Sequence, residues 1–182
     1  MARSYRNRRE REETLRRIAV WGGLLFILAV ARGSFFARLS FLPATPDLLL
    51  CALVAIALLD SVPVAAVAGI GGGFLADALG GTGFSLSPVL YLLVVLTVSG
   101  MAEKMMAGVW SWLLMMIPAL LLRAGATFLG ILLTYESFTF GYALGGILLP
   151  EGILTLLLGF PLYWIVMLCV RLCGDRRDRS LR

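Results

Sequence analysis

Three ionisable residues inside otherwise apolar stretches are the strongest candidates for chemistry or recognition in this chain. Arg123 lies in the middle of one long apolar run, and Glu151 lies near the start of the next. An unpaired arginine at the centre of a bilayer costs at least about 3 kcal/mol. The sequence therefore predicts a buried Arg123–Glu151 ion pair, which serves either structural register or ligand binding.

Asp77 is the third of these residues and follows a run of glycines. A carboxylate near the end of an apolar helix must face water, a polar cavity or a partner. Two interpretations stay open. Asp77 is solvated beside the turn at Gly80, or it makes a fixed polar contact that sets the loop from Gly80 to Ser87.

Gly69 and Gly73 lie four residues apart and therefore on one face of a helix. Missing side chains allow a second helix to approach closely, which is a main source of helix association in lipid. The spacing predicts a packed face, used either within the protein or for a partner helix.

Other site chemistries find little support in the residue types. The chain has no histidine, and its three cysteines, Cys51, Cys169 and Cys173, lie in or beside apolar runs, so we expect packing roles and no metal. The glycine loop 80–83 lacks the lysine of a phosphate-binding loop. We identify no catalytic set, and we expect a protein that is not an enzyme and uses no cofactor.

The composition predicts an all-α integral membrane protein, because 60% of the 182 residues are hydrophobic and only 15% are charged. A soluble domain carries about a quarter charged residues. We expect a six-helix transmembrane domain over residues 18–172, between basic tails at 1–17 and 173–182. The expected spans are approximately 18–36, 48–59, 64–79, 88–102, 107–134 and 143–172, with interruptions near Pro150 and at Pro161.

Basic residues are concentrated at the two ends of the sequence. Seven of the sixteen lie between Arg3 and Arg17, and five lie between Arg171 and Arg182. The positive-inside rule then places both termini in the cytoplasm. We expect the first span to be a retained anchor, although Ala29-Val30-Ala31 is also typical of a signal-peptide cleavage site. The tails suit anionic lipid headgroups, and we expect no nucleic-acid partner.

Two short motifs in the first half of the chain are separated by a spacing that is typical of one protein family. Pro46-Asp47-Leu48-Leu49-Leu50 opens the second span, and Gly73-Phe74-Leu75-Ala76-Asp77 closes the third, ahead of a glycine loop and Tyr91. In these motifs, over about residues 41–104, the chain resembles the rod shape-determining protein MreD family. Arg123 and Glu151 have no counterpart in the family pattern.

The resemblance implies a non-enzymatic scaffold of the bacterial cell-elongation machinery, multi-pass in the cytoplasmic membrane. Proteins of this family associate with the single-span protein MreC. Through it they associate with the actin-like MreB, the glycosyltransferase RodA and a class B penicillin-binding transpeptidase of peptidoglycan synthesis. The candidates for holding the fold or the MreC helix are Pro46, Asp47, Gly69, Gly73 and Asp77.

The alternative is the substrate-binding S component of an energy-coupling-factor vitamin transporter, a family related to MreD in its six-helix architecture. In that case Asp77, Arg123 and Glu151 would lie near a vitamin pocket. Stabilisation by a vitamin would favour the transporter, whereas copurification with a single-span coiled-coil protein would favour the scaffold.

Overall fold

The computed structural model describes residues 2–34, 46–80, 86–102, 108–134 and 149–173, which form six α-helices and no β-strand. The helices are α1 (Ala2–Ser34), α2 (Leu48–Leu59), α3 (Val62–Gly80), α4 (Ser87–Ala102), α5 (Val109–Thr134) and α6 (Leu149–Cys173). The prediction of an all-helical chain is confirmed for these residues. Most of the glycine loop at 80–83 and the C-terminal tail after residue 173 lie outside them.

Helix α2 is the core of the bundle. Every residue from Leu48 to Leu58 is buried, and the helix packs against each of the other five. Its 12 residues make it about 18 Å long at the usual rise of an α-helix. Asp47 caps its N-terminus and Asp60 its C-terminus, and both are buried. Each end of the core helix therefore carries a carboxylate that needs partners inside the protein.

Three of the surrounding helices are long and apolar enough to cross a membrane, over Val62–Leu79, Val109–Leu129 and Leu149–Val170. Their outward faces are apolar as well. Phe74 is 61% exposed, Trp110 84% and Leu157 69%. A helix that is hydrophobic on all sides is typical of a membrane span or of a deeply buried core. The outer surface of this bundle therefore suits hydrocarbon better than water.

Helix α1 is longer than the sequence analysis expected. The residues assigned to a separate basic tail, 1–17, are helical from Ala2 onward and continuous with the apolar part of α1. Arginine and glutamate alternate there at four-residue spacing, as in Arg6–Glu10, Arg8–Glu12 and Arg9–Glu13. A sequence with opposite charges at this spacing favours a helix, in agreement with a helix that begins in a polar segment.

Helix α6 corrects the expected interruption at Pro161. The helix runs unbroken from Leu149 to Cys173 with Pro161 inside it. Pro150 is the second residue of the helix, where its missing N–H leaves no hydrogen bond unmade. Pro161 removes one backbone hydrogen bond, which neighbouring helices can compensate in a packed membrane bundle. The part of the expected span at 143–148 lies outside the described residues.

Candidate functional site

Asp47 lies where several helices of the bundle meet. It is 1% exposed, and its carboxylate accepts a hydrogen bond from the backbone N–H of Leu50 at 3.3 Å. Aspartate is among the preferred residues for capping a helix N-terminus. Pro46, which precedes the cap, is also buried. The local sequence therefore begins α2 at Leu48 with the Asp47 carboxylate held against the start of the helix.

Side chains from three other helices surround this carboxylate. The Tyr91 hydroxyl of α4 donates to it, 2.7 Å from Oδ2 and 3.0 Å from Oδ1. Arg32 of α1 donates from Nη1 to Oδ1 at 3.3 Å. Arg123 of α5 places Nε 3.2 Å from Oδ2, as an ion pair without hydrogen-bond geometry. The buried negative charge of Asp47 is thus balanced from within the protein, as a stable buried carboxylate requires.

Helix α6 reaches the same point through Thr155. The backbone N–H of Asp47 donates to the Thr155 hydroxyl at 3.0 Å, and the Cys51 thiol donates to the Thr155 carbonyl at 3.2 Å. Gly159 lies one turn further along α6, where an added Cβ would come within 2.7 Å of Cys51 Sγ and 2.9 Å of the Trp112 ring. Cys51 therefore has a packing and hydrogen-bonding position between α2 and α6.

The structure brings the predicted pair Arg123 and Glu151 to 4.0 Å, measured from Nε to Oε1. Arg123 lies closer to Asp47, and its guanidinium carbon lies 5.8 Å from the centre of the Tyr91 ring, within cation–π range. The pair is therefore one part of a larger group, which we call the Asp47 cluster. Its members are Arg32, Asp47, Tyr91, Arg123, Glu151 and Thr155.

The glycine face of α3 is occupied by α4. A Cβ on Gly69 would lie 3.2 Å from the Tyr91 carbonyl oxygen, and one on Gly73 would lie 2.5 Å from the Pro88 nitrogen. Backbone contact this close excludes any side chain at Gly73 unless α4 moves. The structure thus uses this face for internal packing, which helps to position Tyr91 in the Asp47 cluster.

Asp77 follows Gly73 by one turn on the same face of α3. Both of its carboxylate oxygens are buried, and neither has a hydrogen-bond partner in the part of the chain that the structure describes. Asp77 is close enough to Arg123 for the two charges to interact. Two interpretations were left open from the sequence. The burial of the oxygens does not support a solvated carboxylate, and the described residues show no hydrogen bond that would make a fixed polar contact. The loop it was expected to set lies largely outside the described residues.

A second carboxylate is held at the opposite end of α2. Arg17 Nη1 donates to Asp60 Oδ1 at 3.1 Å, and the Trp21 indole donates to Oδ2 at 2.9 Å. The backbone N–H of Ser61 also donates to Oδ1, at 2.7 Å. The sequence analysis did not single out Asp60. We call Arg17, Trp21, Asp60 and Ser61 the Asp60 clamp.

The Asp47 cluster also contains residues that sequence reasoning missed as a group. Arg32 was not singled out from the sequence, and Asp47 was named only as a motif residue and a candidate for holding the fold or a partner helix. A signal was present, because an arginine in an apolar helix needs an acid. Asp47 is the first acidic residue after Arg32 in the sequence.

The arrangement is suited to holding helices together. Asp47 accepts from a tyrosine, an arginine and a backbone amide and is paired with a second arginine, so its oxygens are committed to the protein's own groups. Among the described residues, no group of three histidine, cysteine or acidic side chains is placed to hold a metal ion.

Compared with known proteins, the chain matches no family model, and no curated protein sequence or solved structure is significantly similar to it.

Proposed function

We propose that this protein is a non-enzymatic membrane scaffold of the MreD type, which binds a single-span MreC-like protein and supports bacterial cell elongation. The observation that carries the proposal is that the oxygens of Asp47 are bound by side chains and backbone groups of the protein itself. Groups from α1, α4 and α5 bind the Asp47 carboxylate, and α6 binds the Asp47 backbone N–H, so this one residue fixes the relative positions of several helices. Such a rigid framework is what a partner-binding scaffold requires.

The residues that carry the resemblance to the MreD family are separated in sequence but lie close together in the structure. Asp47, Gly73, Asp77 and Tyr91 all lie near one end of the bundle, around the contact between α3 and α4. The motif residues thus belong to one region of the bundle. Their proximity supports the proposed family, which otherwise rests on the spacing of the motifs in the sequence.

We further propose that all six helices cross the cytoplasmic membrane and that both termini are cytoplasmic. Arg17 and Arg32 of α1 bind the two ends of α2, which fits an antiparallel pair of spans. The basic residues before Arg17 and after Arg171 support the cytoplasmic location of both ends. Reporter fusions at Met1 and Arg182 test this topology, and fusions that report on opposite sides would contradict it.

Co-expression tests the scaffold role. The full chain carrying an affinity tag is purified with an MreC-type protein from the same organism, and in parallel with a version of that protein whose membrane span is replaced by an unrelated one. We expect capture of the first and loss of capture of the second. Equal recovery of the two versions would contradict recognition of the partner's membrane helix. Recovery of neither version, when the tagged chain itself is folded, would contradict it as well.

A second candidate function, the S component of a vitamin transporter, is favoured by Asp77. Its two buried oxygens have no hydrogen-bond partner among the described residues, which is unusual in a closed framework and common at a binding site. Thermal unfolding in the presence of a panel of vitamins separates the two functions. A rise in Tm with one vitamin, lost in Arg123→Gln, would support the transporter.

A further inference from the structure

The apolar parts of α1 and α4 are shorter than a typical bilayer is thick. In α1 this part lies between Arg17 and Arg32, which bind the carboxylates at the two ends of α2, and it is about 21 Å long. Helix α4 has 16 residues and is about 24 Å long, and the charged residues Glu103 and Lys104 follow it in sequence. A tilt only shortens the distance that a helix spans along the membrane normal. Both lengths therefore fall short of a hydrocarbon core of about 30 Å.

Both helices present apolar side chains on the outside of the bundle. Ile27 of α1 is 66% exposed and Val89 of α4 is 62% exposed, and Leu93 and Leu96 of α4 are exposed as well. Helix α3 packs against α1 and against α4, so the three helices form one continuous side of the molecule. We call α1, α3 and α4 the short side of the bundle.

Helices α5 and α6 differ from the short side in the length of their apolar stretches. These stretches, Val109–Leu129 and Leu149–Val170, are about 32 and 33 Å long, whereas that of α3, Val62–Leu79, is about 27 Å long. Neither α1 nor α4 contains a described stretch that is long and apolar enough to count as a full span. The difference in length between protein and bilayer is thus greatest on one side of the bundle.

The buried charges give a second, independent reason to expect a thin membrane. Arg16, beside the Asp60 clamp, is exposed, which suits a position at the cytoplasmic edge of the hydrocarbon core. Asp47 is about 20 Å from Asp60 along α2, and therefore about 10 Å below the outer edge of a core of average thickness. The Arg32 side chain bound to Asp47 is 21% exposed. Exposed charge at such a depth is costly, and local thinning of the bilayer reduces the cost.

We propose that the short side binds lipids with short acyl chains and thins the bilayer beside it to a hydrocarbon thickness of about 21–24 Å. A span that is shorter than the membrane draws the two lipid surfaces together. Short-chain lipids remove the mismatch without being deformed, so they should collect on this side. The inference rests on the proposed membrane topology but not on the scaffold role.

Thermal unfolding of the purified full-length chain, without any partner, tests the lipid preference. The chain is placed in nanodiscs of phosphatidylcholines whose monounsaturated acyl chains increase in length. We expect the highest Tm with myristoleoyl or palmitoleoyl chains, a Tm lower by about 3–6 °C with oleoyl chains, and a lower one still with erucoyl chains. A highest Tm with oleoyl or longer chains overturns the proposal. The reporter fusions test the topology separately, so the two failures are distinguishable.

Quenching of tryptophan fluorescence by brominated lipid shows on which side the preference lies. Trp110 and Trp164 are exposed on α5 and α6, whereas Trp21 and Trp112 are buried and give a constant background. The parent chain therefore reports on lipid beside α5 and α6. Leu93→Trp, in a chain that also carries Trp110→Phe and Trp164→Phe, moves the exposed reporter to α4 on the short side.

Mixtures of dimyristoleoyl lipid with brominated dioleoyl lipid then separate the two sides. The reporter on α4 should be quenched less than the share of brominated lipid predicts, because short-chain lipid collects beside it, whereas the parent chain should be quenched in proportion to that share. Equal quenching on both sides overturns the proposal. If the chain purifies as a dimer and pure brominated lipid does not quench the reporter on α4, a second copy covers the short side, which overturns it as well.

Discussion

The two ends of α2 each hold a buried carboxylate, but different numbers of helices provide the groups that bind it. Each end carries a buried aspartate, and each aspartate binds an arginine of α1, Arg32 at one end and Arg17 at the other. In the Asp60 clamp the remaining donors come from α1 itself and from the next backbone amide. In the Asp47 cluster they come from α4 and α5, and α6 binds the Asp47 backbone.

The two sites differ in the number of helices that they join, and we call a site that joins more than two helices a hub. The described contacts of the Asp60 carboxylate join α1 to the end of α2, so its loss leaves the contacts of α2 with α4, α5 and α6 in place. The Asp47 cluster joins α1, α2, α4, α5 and α6, so its loss leaves two arginines without their main partner at once. We therefore expect equal chemical changes at the two ends to have unequal effects on the free energy of unfolding.

The largest effect is expected from Asp47→Asn. Removing one partner from a buried ion pair typically costs about 3–5 kcal/mol, and here Arg32 and Arg123 both lose their nearest carboxylate. Reversible unfolding in mixed micelles measures the loss. A decrease below about 1 kcal/mol, the size expected for an exposed pair, would show that the cluster is not the hub described here.

Asp60→Asn should follow with a loss of about 2–3 kcal/mol, because Arg17 loses its ion pair with the Asp60 carboxylate, whereas an asparagine oxygen still accepts from Trp21 or Ser61. The same unfolding measurement applies. If Asp60→Asn proved more destabilising than Asp47→Asn, the comparison between the two ends would be reversed.

Gly73→Ala tests whether the contact of α3 with α4 holds the Asp47 end together. The added Cβ would meet the backbone of Pro88, and overpacking of this kind typically costs about 1–3 kcal/mol. Gly71→Ala, where nothing lies within 4 Å, is the matched control and should change stability by no more than about 0.5 kcal/mol. Equal stability of the two variants would contradict the close contact.

Glu151→Gln should have the smallest effect. Its 4.0 Å separation from Arg123 is long for an ion pair, and Arg123 keeps Asp47 as its closer partner. We expect a loss of about 1 kcal/mol or less. A loss as large as that of Asp47→Asn would make Glu151 the main partner of Arg123, as the sequence alone suggests.

Features set by local sequence could be predicted, whereas the partners of the buried charges could not. Two prolines and two aspartates bracket α2, and its expected bounds, 48–59, agree with Leu48–Leu59. Arg123 and Glu151 were paired because both lie deep in neighbouring apolar runs. The role of Asp47 depends on Tyr91 and Arg123, which are 44 and 76 residues away in sequence. No local pattern specifies contacts between residues so distant in the chain.

Pro161 illustrates the opposite failure. Local propensity alone predicts a break there, but the helix continues through it, because packing in the bundle compensates for one missing hydrogen bond. The helical start of α1 at Ala2 could have been predicted from the four-residue spacing of arginine and glutamate, which the sequence analysis interpreted only as a charge signal for topology.

A double-mutant cycle of Asp47→Asn and Arg123→Gln tests the central claim most directly, that Asp47 joins the helices by direct pairing with charges from other helices. Unfolding free energies are measured for the parent chain, both single variants and the double variant. We predict that the double variant is less destabilised than the sum of the two singles, with a coupling energy of about 1–3 kcal/mol. Strictly additive effects would contradict the pairing, and with it the rigid framework on which the scaffold proposal rests.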